Sequence, residues 1–414
     1  MAVIKPFKGI RPVEELAEKV AALPYDVMTR EEAENLVEGN PLSFLRVDRA
    51  EIELPREVPF NHSSVYERAA YNLEKLMKSG VLKQDSREVF YIYQLEVGGR
   101  RQSGLVACFS IDDYLSGVIK KHEHTTEDKE KDRIRHVKAC NAHTGPILLF
   151  NREDVRVNQV MESWMKGHKP VYDFSAQDNV EHRVWVIDET NVIYELKNLF
   201  SGIDKLYIAD GHHRCAAAVK VGLDKRKGVL HGDEEYNYFL GVVFPHNQLR
   251  ILDYNRVVRD LNGLSVSRFL DRVSLYFDIN PIQNGEAYKP GHIHSFGMFV
   301  DGGWYELIAK PGTWNDEDPV ERLDVRILQN NLLGPILGIE DPRKDKRIEF
   351  VGGSRRLIEL ENMVRQQGEG AAFALYPTSI VQLMDVADMG KIMPPKSTWF
   401  EPKLRSGLFI HDIG

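Results

Sequence analysis

The chain has 414 residues, a formal net charge of −8, three cysteines and ordinary shares of apolar and charged residues. That is more chain than one hydrophobic core usually organises, so two or three lobes are expected. No apolar run long enough to span a membrane is present, and no basic stripe of the kind that grips duplex DNA stands out, so neither membrane nor nucleic acid is an expected partner. The opening "MAVIKPFKGIRPVEEL" has no apolar signal core, and Cys108, Cys140 and Cys215 form no CxxC pair. Both features read as a cytoplasmic protein with reduced thiols.

In chain order, the first third reads as helical. Residues 12–23 are amphipathic, and 29–39 opens with a capping box, Thr29 with Glu32, and closes on Gly39. Residues 64–80 repeat the device with Ser64, Glu67 and Gly80. The character then changes. Residues 88–111 are two β-rich runs around Gly98-Gly99, which predicts a hairpin. A charged helix is expected over 127–142, a second hairpin over 182–196, a short strand over 205–209 and further strands over 236–244 and 249–252. The last third mixes a helix over 265–277 with strands over 294–309. The class is therefore α+β. The expected lobes are an α-rich N-terminal piece (1–85), a mixed α/β core (86–260) and a mixed C-terminal piece (261–414).

The chemistry concentrates at "LYIADGHHRCAAAVKVG" (206–222). A strand, a glycine turn and a helix together aim backbone N–H groups at an anion. Gly211 permits positive φ or close approach. Arg214 can fork onto phosphate oxygens, His212 and His213 can donate to them, and Asp210 can offer one oxygen to Mg²⁺. The blander alternative is a surface turn with polar caps. A second cluster, "IKKHEHTTEDKEKDRIRH" (119–136), holds His122, Glu123 and His124. Its spacing is not HExxH. In an extended segment His122 and His124 share a face and Glu123 takes the other, as a candidate general base. Arg133 and His136 lie one helical turn apart, within reach of one ligand, whereas Glu127 to Lys131 read as a solvated helix face. Further candidates are Lys396, Ser397 and Thr398 in the stiff loop "MPPKSTWFEPKLRSG", and Arg256 in "YNRVV", where a plain strand-to-helix joint is the competing reading. Asp26, Asn40 and Arg46 are weaker candidates for a wall of the site.

The segments "PFKGIRP", "LPYDVMTREE", "NPLSFLRV", "HEHTT", "DGHHR", "YNRVV" and "MPPKSTWFEPKLRSGL" resemble, in order and spacing, the bacterial and archaeal domain-of-unknown-function family 1015. The middle of the chain is also similar to the ParB/sulfiredoxin-like nucleotide-binding fold, and within it to the free-serine kinases. That resemblance implies a kinase using ATP or ADP with Mg²⁺ to convert L-serine to O-phosphoserine. Glu123, Asp210 and His213 would be catalytic. Gly211, His212, His213 and Arg214 would hold the nucleotide with Arg256, Lys396, Ser397 and Thr398, and Asp210 would stand near the metal. A sulfinic-acid reductase is not implied, because Cys215 lies beyond the arginine of the turn. Two rival classes remain: a metal-dependent hydrolase using His122, His124, Asp210 and His212, and a non-enzymatic nucleotide-binding regulatory protein. The oligomeric state is open, a homodimer included.

Overall fold

The computed structural model describes residues 1–226, 232–283 and 285–414. The chain divides into two compact units, one of Met1–Lys121, Thr125–Leu249 and Pro402–Gly414, the other of His122–His124 and Arg250–Glu401. The expected α+β class is what the elements show. The expected lobes are not. Residues 1–85 do not stand apart, because the strand Ile4–Lys5 pairs antiparallel with Arg100–Ser110 and so joins the central sheet. The later boundary, expected near 260, falls between Leu249 and Arg250.

The first unit is built on a nine-stranded mixed sheet. Its spatial order is Ile119–Lys120, Leu206–Asp210, Ile147–Asn151, Tyr238–Pro245, Arg100–Ser110, Phe90–Val97, Glu181–Ile187 and Tyr172–Ser175, with Ile4–Lys5 beside Arg100–Ser110. Alternation explains the faces. Phe90, Ile92, Leu105, Ala107 and Phe109 belong to one core cluster with Trp164, Leu196, Phe200 and Val219 from three helices. Tyr91 and Tyr93 point the other way, against Phe7 and Phe409. The hairpin at Gly98-Gly99 forms, with both glycines at positive φ (57° and 77°), as a two-residue turn with the twist of its strands requires.

Two local expectations fail for identifiable reasons. Residues 182–196 are not a hairpin but the strand Glu181–Ile187 followed by the helix Thr190–Ser201. Val192, Ile193, Leu196, Leu199 and Phe200 recur at helical spacing and pack on the main core, a period that the short run to residue 196 concealed. The helix Ser63–Lys78 is capped by the His62 side chain, which accepts from the Ser64 N–H, rather than by Ser64 with Glu67. The Thr29–Glu32 box does form, at the start of Arg30–Leu36.

The second unit carries a six-stranded antiparallel sheet in the order Phe277–Pro281, Gly303–Ala309, Ser295–Val300, Ala371–Leu375, Tyr254–Val258, Ile348–Gly352. The helix Leu357–Gln367 covers it through Leu360 and Val364, which pack on Val257, Phe299 and Ala372. "YNRVV" is thus a fully buried strand, not a strand-to-helix joint. Among the described residues no helix is long and apolar enough to cross a membrane.

Candidate functional site

The strand Leu206–Asp210 runs into the helix His212–Lys225 through Gly211 alone. Gly211 has φ 94°, and a Cβ there would lie 3.1 to 3.3 Å from three atoms of the Arg214 guanidinium. Only glycine meets both demands. The helix then packs without bulk, since Cys215, Ala216, Ala217 and Ala218 are all buried. Cys215 has no nucleophilic character, because burial pushes its thiol pKa up.

Asp210 sits at the mouth of this turn. One carboxylate oxygen accepts the Gly211 N–H at 2.8 Å, and the other receives the Lys403 ammonium at 3.1 Å. Burial acts to raise the Asp210 pKa, but Lys403, Arg214 and the Gly211 N–H outweigh it and hold the carboxyl well below the usual carboxylate range. Arg214 gives Nη1 to the Pro146 carbonyl at 2.7 Å, while its Nε–H is buried with no hydrogen-bond partner. His212 is buried and His213 half-buried. The turn therefore presents an ionised carboxylate and a guanidinium with an unused donor at the start of a helix, an arrangement that receives phosphate-type oxygens. Each Asp210 oxygen already accepts one hydrogen bond, which leaves one lone pair on each for a divalent cation. Lys403 already balances the carboxylate, so phosphates would have to bring such an ion in. Among the described residues no group of three or more His, Cys, Asp or Glu could hold a metal ion, so the ligand set of the hydrolase reading is not assembled.

His122, Glu123 and His124 belong to the second unit. The Met393 N–H donates to the His122 carbonyl at 2.9 Å, which ties this tripeptide to the start of the proline loop. His122 is 2% exposed, Glu123 half-buried and His124 exposed. The two histidines thus do not share an environment, contrary to the extended-segment expectation, because the segment is not a strand.

Arg256 is 3% exposed and gives its donors to main-chain carbonyls, those of Tyr254 and Lys396, the latter at 2.8 Å. Burial holds its guanidinium pKa down to about 10. Its guanidinium lies 4.9 Å from the Phe350 ring centroid. This is a clamp on the proline loop rather than a group aimed at a ligand. Ser397 is buried and donates to the Pro394 carbonyl at 2.6 Å. Lys396 is exposed, at φ 56°, with Nζ 5.6 Å from the Tyr254 ring centroid, and Thr398 is half-buried. Asn40 and Arg46 serve the local backbone: Asn40 donates to the Lys19 carbonyl, and Arg46 to the Asn40 and Val37 carbonyls.

In the first unit Arg133 and His136 do line one small cavity, of about 30 Å³, with Tyr25, Asp48, His143 and Arg214. Sequence reasoning had paired Arg133 with His136 by helical spacing but missed Lys403, Tyr25, Asp48 and His143. Lys403 carried one signal, a place in the same C-terminal motif as Lys396. Asp48 and His143 carried none, since burial and partners alone set them apart.

Residues 4–326 match the family described as Protein of unknown function (DUF1015). No curated protein matches the chain. Among solved structures, a conserved hypothetical protein from Pyrococcus furiosus is 14% identical, covering 73% of this chain and 94% of that one, with a TM-score of 0.37. A mutant free serine kinase in complex with ADP is 13% identical over 73% of this chain and 92% of that one, at 0.38. SbnI with a C-terminal truncation, from Staphylococcus aureus, is 11% identical over 72% and 82%, at 0.37.

Proposed function

This chain belongs to the DUF1015 family, and from that premise we propose a nucleotide-dependent phosphotransferase acting on a small hydroxyl-bearing metabolite. Free L-serine is the leading acceptor, and ATP or ADP the donor. The observation that carries this reading is the turn at Asp210–Arg214, where a buried guanidinium donor without an acceptor lies at a helix start beside a carboxylate kept ionised. Such a turn positions and neutralises a polyphosphate, which is most of what phosphoryl transfer asks of a protein.

In the proposed step the acceptor hydroxyl loses its proton to the Glu123 carboxylate. Its oxygen forms a bond to the terminal phosphorus as the bond from that phosphorus to the bridging oxygen breaks. The nucleotide leaves one phosphate shorter, with the electron pair on its terminal oxygen. Gly211, His212, His213 and Arg214 hold the phosphates. Asp210 would take a nucleotide-borne Mg²⁺ through one oxygen, and the ion supplies charge neutralisation when bound. Arg256 and Ser397 keep the proline loop in shape, and Lys396 and Thr398 are its proposed ligand contacts.

The test is product. The chain is incubated with ATP or ADP, Mg²⁺ and a panel of small alcohols including L-serine, and phosphorylated acceptor is sought by mass spectrometry. Phosphoserine, or another phosphorylated alcohol, formed in step with nucleotide consumption is the expected result. No product from either donor with any acceptor sinks the proposal, and nucleotide binding without product would favour a regulatory nucleotide-binding protein.

A further inference from the structure

The segment that follows the proline loop carries two cations, Lys403 and Arg405, two residues apart. Lys403 goes to Asp210, on the strand next to one edge of the large sheet. Arg405 goes to His182, on the strand next to the opposite edge, and to Asp178 in the turn before that strand. Arg405 is 4% exposed. Its Nε–H donates to His182 Nε2 at 3.3 Å and its Nη2 to Asp178 Oδ2 at 2.5 Å, while Nη1 makes no protein hydrogen bond among the described residues. His182 does not balance the charge. It is fully buried, its Nδ1 lies 2.7 Å from the Tyr93 hydroxyl, and burial with the Arg405 charge holds its pKa down to about 3, so the ring is neutral. Among the described residues the one anion paired with Arg405 is therefore Asp178, whose side chain is 43% exposed. Asp178 stands on the reverse turn 176–180, where Asn179 takes φ 59°. A buried guanidinium thus depends on a carboxylate from a surface turn and has a donor left over.

Arg405 lines a cavity of about 610 Å³, a volume that suits a small organic molecule. Every lining residue belongs to the first unit, and none belongs to the turn Asp210–Arg214. Much of the wall is apolar, with Leu23, Leu36, Pro41, Leu42 and Leu45. Leu42 and Leu45 pack on the core around Phe44 and Leu73, whereas Leu36 is left 41% exposed. The wall and the cation are held in register by backbone. The Ala22 N–H donates to the Ser406 carbonyl at 3.1 Å and the Ser406 N–H to the Ala22 carbonyl at 2.8 Å, and Ala22 itself lines the cavity. The structural arginine of the second unit, Arg256, spends its donors on carbonyls. Among the described residues Arg405 gives no side-chain donor to a carbonyl.

We infer that this cavity binds a small monocarboxylate with an apolar body, its carboxylate on the Arg405 guanidinium and its hydrocarbon against the leucines. Nη1 and Nη2 form the planar fork that a carboxylate matches with two parallel hydrogen bonds. The ligand takes Nη1 and displaces Asp178 from Nη2, so Asp178 is an internal competitor for the same fork. A cationic ligand meets the guanidinium as a like charge, and a neutral one cannot replace the carboxylate on it. The inference does not rest on the proposed phosphotransferase.

The probe is hexanoate, with 1-hexanol and hexylamine as controls that remove or reverse its charge and butyrate as one that shortens its body. Isothermal titration of the full chain should show saturable hexanoate binding, with hexanol and hexylamine weaker by about tenfold or more. Affinity should rise about threefold per methylene from butyrate to hexanoate. Asp178→Asn removes the competing anion and should tighten hexanoate about threefold or more while leaving hexanol unchanged. Leu36→Ser, at a partly exposed position, should weaken hexanoate about fivefold and butyrate less. Arg405→Lys keeps the charge, loses the planar fork and should weaken hexanoate about tenfold. Unchanged circular dichroism qualifies each variant, and if Arg405→Lys does not fold, Asp178→Asn on its surface turn carries the test. No saturable hexanoate binding by the wild type, hexanol bound as tightly as hexanoate, or hexanoate affinity unmoved or weakened in folded Asp178→Asn each overturns the inference.

Discussion

In the first unit Asp210 lies between Lys403 and Arg214 and stays ionised, whereas in the second unit Asp324 is buried, accepts one backbone hydrogen bond from His294, and has its carboxyl pushed up to about 7 by burial. The arginines divide the same way. Arg214 keeps a donor without an acceptor, while Arg256 gives its donors to carbonyls of its own strand and of the proline loop. Residue type is the same in both units; the partner set assigns the task. A carboxylate held by cations with a donor to spare is arranged for a ligand, and a buried charge closed off by backbone is arranged for the fold.

The sharpest way to break this contrast is to remove a group with a proposed chemical role and one with a structural role. Glu123→Gln should lower phosphotransferase turnover by about 10²- to 10⁴-fold while nucleotide affinity stays within error, because a general base is lost and no phosphate contact is. Full activity in that variant would overturn its assignment as the base. Arg256→Met should instead cost about 2–3 kcal/mol in denaturant unfolding, since it strands buried carbonyls of the second unit, and leave nucleotide affinity alone. A large drop in affinity with unchanged stability would return Arg256 to the site.

A pH dependence of opposite sign is expected in the two units. Folded Asp324 titrates near 7 against 3.8 for a free carboxyl, so the folded state carries the extra proton between those values. Its contribution is intact below about pH 4 and is lost as pH rises through about 7, at no more than about 1.4 kcal/mol per pH unit. His182, buried near Arg405, is held down to about 3 against 6.5, so its contribution is present above about pH 6.5 and is lost as pH falls toward 3. Asp324→Asn should therefore remove only the first slope. The stability difference between wild type and variant, measured by urea unfolding, should decline from about pH 4 to 7. A flat difference would mean that Asp324 is ionised throughout.

Much of the scaffold was legible because its signals are local. The Thr29–Glu32 box, the glycine pair of the hairpin and the strand–glycine–helix turn at Gly211 each lie within a few residues, and each forms. The helix Thr190–Ser201 was obscured because its first turns follow a strand and mix β-branched residues with its helical period. The site was legible only in part. Asp210 and Arg214 sit on one turn, but Lys403, which keeps Asp210 ionised, arrives from 193 residues away. His143 lies against His411, which in turn meets Glu235, residues 268 and 92 positions from it, a relation no spacing rule encodes. The histidines of the HEH segment went the other way: they look like a pair, yet one is buried and the other exposed.

The most direct measurement is a calorimetric titration of ADP and ATP into the wild-type chain, Arg214→Ala and Arg256→Met, all at one salt concentration. Stoichiometric nucleotide binding by the wild type, weakened about tenfold or more in Arg214→Ala and preserved in folded Arg256→Met, is the predicted result. No binding by the wild type, or equal affinity in Arg214→Ala, would contradict the claim that the turn at Asp210–Arg214 is the phosphate site.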